Sequence, residues 1–177
     1  MPHGCVRHGP AGYGSRVDTK LLGIYLNDHR AGSVVGVELS KRAAASNEGT
    51  ELGEFLADLS ADIKADGDSL KAIMDHLGVK ENRVKMPVAW MAERLGRLKP
   101  NGQLTGYSPL SRLVELEGLL LGVTGKLSLW RSLAATRSDL GAFGLETLIE
   151  RAESQRDGLE ARRVDAARLA FGESPSS

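Results

Sequence analysis

The 177-residue sequence predicts an all-α protein built as a four-helix bundle, and three observations lead there. Leu and Ala dominate the apolar residues, aromatics are only 5 % of the chain, and no long alternating Val/Ile run occurs. Strands need that alternation and those residue types. Four stretches of about 27 residues each carry apolar side chains at alternating steps of three and four, which is the spacing of one helical face. Between them stand capping and turn residues: Asp18 or Thr19, Thr50, Gly78, Ser108-Pro109 and Gly144.

The first helix is predicted over 19–45, with the stripe Leu22, Tyr25, His29, Gly32, Gly36, Leu39, Ala43. Ser46-Asn47-Glu48-Gly49 is a short turn, so the next helix should be its antiparallel neighbour. That helix, 51–77, is capped by Thr50 and ended by Gly78. Its stripe runs Leu52, Leu56, Leu59, Ile63, Asp66, Leu70, Ile73, Leu77, and Asp66 is its one polar member.

Residues 79–107 form a crossover long enough to return along the bundle. Val84, Val88, Met91, Leu95 and Leu98 predict a short helix near 87–97 within it. The segment is basic, with Lys80, Arg83, Lys85, Arg94, Arg97 and Lys99 against Glu81 and Glu93.

The third helix, 109–134, is the organising element. Ser108 can cap its free amides, and Pro109 suits the first helical position. Leu113, Leu116, Leu120, Val123, Leu127, Trp130 and Ala134 make one face, with Leu119, Gly122, Leu129 and Leu133 on a second. A helix apolar over so much of its circumference belongs in the middle of a bundle. Glu115, Glu117, Lys126 and Arg131 interrupt the run, so no membrane insertion is expected. A loop over 136–144 leads to the fourth helix, 145–170, whose stripe is Leu145, Leu148, Ala152, Gln155/Arg156, Leu159, Arg162/Arg163, Ala166, Leu169. Residues 1–17 and 172–177 are expected to be disordered tails around a single domain of 18–171.

Lys plus Arg and Asp plus Glu number 23 each, so the net charge is zero and no global field favours nucleic acid. The single cysteine, Cys5, permits no intrachain disulfide and fits a reducing, cytoplasmic location. His3, Cys5 and His8 match no metal site of stated geometry, and the stretch MPHGCVRHGPAGYGSRV has no apolar core of a secretory signal.

Two short-looped helix pairs joined by one long crossover give an up-down-down-up arrangement. This resembles the ferritin-like four-helix bundles over about residues 18–170. The stretch from Leu104 to Trp130, with LTGYSPLSRLVELEG, is also similar to a group of actinobacterial proteins of that general shape. The family's metal site takes a Glu from each of two helices and Glu-x-x-His from each of the other two. Here the second and fourth helices contain no Glu-x-x-His. Asp62 and Asp66 stand mid-helix in the second, and Glu153 precedes Arg156 in the fourth. The resemblance therefore implies the scaffold without a cofactor. An atypical iron or manganese site drawn from Glu38, Asp62, Asp66, Glu117, Glu153 and His29 is the alternative.

Counting residues from the helix midpoints puts His29, Asp66, Gln155 and Arg156 in one layer. Glu117, Arg162/Arg163 and Glu38 fall in a higher one. Opposite charges at equal depth predict a buried polar network, with His29 or Arg156 as the partner of Asp66. Gly32 and Gly36 stand opposite Gly122 and Gly118, predicting a close helix seam. The sequence contains no nucleophile-base-acid set, zinc motif or phosphate-binding glycine loop. The expectation is a non-catalytic bundle acting through protein contacts or oligomerisation, with no catalytic residue. Anion or nucleic-acid binding through the basic crossover is a further alternative.

Overall fold

A computed structural model of the chain describes residues 19–82 and 107–172, and the following statements concern those residues. They are helical throughout apart from turns. The helices are α1 (Thr19–Ser46), α2 (Glu51–His76), α3 (Pro109–Thr136) and α4 (Leu145–Phe171), with a short 3₁₀ segment, Ser138–Phe143, between the last two. Each long helix ends within two residues of its predicted bound. The 3₁₀ turn replaces part of the loop expected over 136–144, with Leu140 fully buried as its anchor. The predicted helix at 87–97, the tail 1–17 with His3, Cys5 and His8, and all of the second tail but Gly172 lie outside the described residues.

The helix ends follow from local chemistry. The Thr50 hydroxyl accepts from the Gly53 amide at 3.1 Å, and Ser108 accepts from the Ser111 amide at 3.1 Å. Each satisfies an amide that has no partner inside its helix. α2 stops in a Schellman turn: Val79 N–H donates to Met74 and Gly78 N–H to Asp75, with Gly78 at φ +67°. A side chain at that φ would clash with its own carbonyl, so glycine is the fitting residue.

α1 packs along α2, and α3 along α4; α1 also meets α3, while α2 meets α4 more sparsely. Two apolar clusters fill the interior. One gathers Leu26, Leu70, Met74, Trp130, Leu133 and Leu148, and the other Leu39, Leu56, Leu59, Leu116, Leu119 and Leu159. Between the two clusters in sequence stand the buried or half-buried polar residues Asp66 on α2, Lys126 on α3 and Gln155 on α4, with Arg151 one turn before Gln155. The apolar clusters thus flank a charged layer.

Candidate functional site

Asp66 is the centre of that layer. It is 1 % exposed, yet each carboxylate oxygen carries a cation. Lys126 Nζ donates to Oδ2 at 2.5 Å, and Arg151 Nη2 donates to Oδ1. The Lys126 ammonium also donates to Gln155 Oε1 at 2.5 Å, and Gln155 Nε2 donates onward to Asp62 Oδ2 at 2.9 Å. Two carboxylates therefore balance two cations across three helices. Burial pulls the Lys126 ammonium below its ordinary pKa, and the neighbouring Asp66 opposes that pull. A buried carboxylate without such partners would not stay ionised.

The partners differ from those expected. Arg156 pairs with its own neighbour Asp157 at 2.8 Å, while Arg151 occupies the place predicted for it. The two stand five positions apart, and that step turns a helix well off its starting face. His29 is half-buried edge-to-face on Tyr25, with ring centroids 4.6 Å apart. Burial lowers its imidazole below 6.5, and Asp28 beside it works in the opposite sense.

The higher layer is also built from other residues. Glu117 and Glu38 are exposed, and Glu38 pairs with Lys41 on its own helix. Arg162 lies 3.7 Å over the Phe55 ring and Arg163 holds Glu160. The buried acid is Glu115, which receives Arg42 at 2.9 Å and the Tyr107 hydroxyl at 2.9 Å. Asn47 donates to Tyr107 Oη at 3.0 Å. Glu115 sits two positions from Glu117, so it lies on the opposite side of α3. Burial, helped by the adjacent Glu115 charge, raises the Tyr107 phenol to about 12.

The alternative metal ligands are accordingly scattered. Glu153 pairs with Arg131 at 2.5 Å, and Glu38 and Glu117 face solvent. Among the described residues no three His, Cys, Asp or Glu side chains gather where they could hold a metal ion.

The glycines are the larger correction. A Cβ at Gly32 or at Gly122 would meet nothing within 4 Å, so these two do not form a close seam. At Gly118 it would meet Leu39 at 3.2 Å, and at Gly36 it would meet Ile63 of α2 at 3.4 Å. Leu39 takes the α1–α3 contact, and toward the N-terminal half of α1 a cavity of about 260 Å³ opens between α1, α2 and α3. All four glycines line it, together with His29, Ile63, Asp66, Lys126 and Trp130. Trp130 is 1 % exposed and its Nε1–H has no acceptor among the described residues. Sequence reasoning missed Lys126, Arg151, Glu115 and Tyr107. For Glu115 and Lys126 the available signal was the rarity of charge within the apolar run of α3.

None of the described helices is long and apolar enough to cross a membrane. No protein-family model matches this chain, and comparisons with curated proteins and with solved structures find no match.

Proposed function

We propose that the protein is a non-catalytic bundle of ferritin-like connectivity that works by binding another molecule or a second copy of itself, not by chemistry. The connectivity is supported by the order of contacts. Arg42 reaches Glu115 while His29 lies near Gly125, so α1 and α3 run in opposite senses. Phe55 packs on Gly158 and Asp66 on Arg151, so α2 and α4 do too. With antiparallel pairs α1–α2 and α3–α4, that order supports an up-down-down-up bundle.

One observation carries the non-catalytic reading. Asp66, the acid at mid-bundle depth, is saturated by an ammonium and a guanidinium. A metal pair would need bridging carboxylates there, and fixed cations repel it. The layer fits a register-setting role, since an ion pair at one depth penalises helices that slide. Self-association is supported by apolar side chains at the surface: Leu121 is 75 % exposed and Phe171 70 %. A cytoplasmic location belongs to the same proposal, supported by the single cysteine.

Metal analysis of protein purified from iron- and manganese-supplemented medium tests the reading. Metal well below one ion per chain is expected, and about two ions per chain would overturn it. Sedimentation of the same sample reads the oligomeric state.

A further inference from the structure

We propose that the cavity between α1, α2 and α3 binds a small amphipathic carboxylate, its linear apolar tail along the glycine-lined wall and its head on Lys126 and Trp130. The inference deepens the binding reading above and fails separately from it. Metal content judges the Asp66 layer, whereas ligand binding judges the cavity.

Shape is the first argument. The cavity walls extend from Asp28 to Leu39 on α1 and from Gly118 to Trp130 on α3, roughly 16–18 Å along the helices. The site is elongated along the helices and open to solvent beside Gly32 and Gly122, an outline that suits a chain more than a ring system. The glycines keep it open. Gly32 and Gly122 cost their helices roughly 1 kcal/mol each relative to alanine, and no tight contact in the structure requires them. What they leave is space.

Polarity is sorted along the cavity. Leu39, Ile63, Leu119 and Val123 line one end, and His29, Lys126 and Trp130 the other. The acid at this end, Asp66, already has both oxygens engaged by Lys126 and Arg151, which leaves donors in excess. The Trp130 Nε1–H is buried and unpartnered among the described residues. The Lys126 ammonium spends two N–H bonds on Asp66 and Gln155, and its side chain is 13 % exposed, which leaves the third for water or a ligand. A buried donor without an acceptor is destabilising, and a carboxylate head supplies two oxygens for two donors.

The ammonium favours the same head. Arg151 holds the second oxygen of Asp66, so a carboxylate beside Lys126 meets an acid already held by two cations, and it adds one negative charge to a layer that is otherwise balanced. A cationic head would face the ammonium directly. Asp28, at the rim, is exposed, and solvent screens it from the head position.

Calorimetric titration of the full chain with decanoate, decanol and decyltrimethylammonium tests the proposal. Saturable one-to-one decanoate binding is expected, with decanol at least about tenfold weaker and the cation not bound. Gly122→Leu and Gly32→Leu, placed where a side chain has room, should keep the thermal transition and weaken decanoate at least about tenfold. A Trp90→Phe chain, whose only indole is Trp130, should change its emission on decanoate saturation, and this readout needs no leucine variant to fold. Absent decanoate binding, decanol binding as tightly, folded leucine variants with unchanged affinity, or an indifferent Trp130 would each overturn it.

Discussion

At the scale of single residues, Asp66 was legible because it is the one polar side chain in an otherwise regular apolar stripe. Its partners were not. Choosing among Gln155, Arg156 and Arg151 requires the rotation of α4 about its axis, and spacing along one helix does not report that rotation. Asp66→Ala should destabilise the fold by roughly 3–5 kcal/mol, because Lys126 and Arg151 would lose the acid that justifies their burial. Adding Lys126→Met should recover part of that loss, and a double-mutant cycle by urea denaturation measures the coupling. Equal stability of Asp66→Ala and wild type would show the layer to be solvated.

His29 supplies a pH test of the same region. Its imidazole is held below 6.5 in the folded state, chiefly by burial. As pH falls through 6.5 the unfolded chain takes up the proton first, so the unfolded state gains relative to the folded one. Stability is therefore whole above 6.5 and declines as pH drops toward the lowered folded value. Thermal melts across that range should show a shallower decline for His29→Gln than for wild type. Parallel curves would remove His29 from the account.

At the scale of elements, helix type and length were readable because period, caps and terminating glycines agreed with one another. What a given glycine does was not readable, since propensity reports only its cost and the neighbouring helix decides its use. Gly53 is required: a Cβ there would stand 2.2 Å from the Asn47 carbonyl oxygen. Gly158 is nearly so, at 3.0 Å from the Phe55 ring. Gly32 and Gly122 face open space. Alanine at Gly53 or Gly158 should cost about 1–3 kcal/mol by overpacking. Alanine at Gly32 or Gly122 should stabilise by up to roughly 1 kcal/mol through helix propensity. Denaturant midpoints for the four variants should thus move in two opposite directions. Destabilisation by alanine at Gly32 and Gly122 as well would restore the glycine-on-glycine seam that the spacing suggests.

At the scale of the whole molecule, the chain consists of two helical pairs whose internal packing is denser than the packing between them. Both apolar clusters draw on all four helices, and charged contacts cross between the pairs beside them. Asp66 reaches across to Lys126 and Arg151, Asp62 to Gln155, and Arg42 to Glu115. The cavity further thins the same boundary on its α1–α3 side. Most apolar burial lies within each pair, where the packing is densest, whereas the charged contacts between pairs weaken sharply when a partner is removed. This boundary should therefore be where the molecule separates first. A chain carrying both Asp66→Asn and Glu115→Gln should lose the near-ultraviolet signal of its buried Trp130 at lower urea than it loses helical far-ultraviolet signal. The wild-type transitions should coincide, as they do for a cooperative single domain. If the double variant also unfolds in one coincident step, the apolar clusters bridge the pairs strongly enough that the ionic layer sets register without holding the halves together.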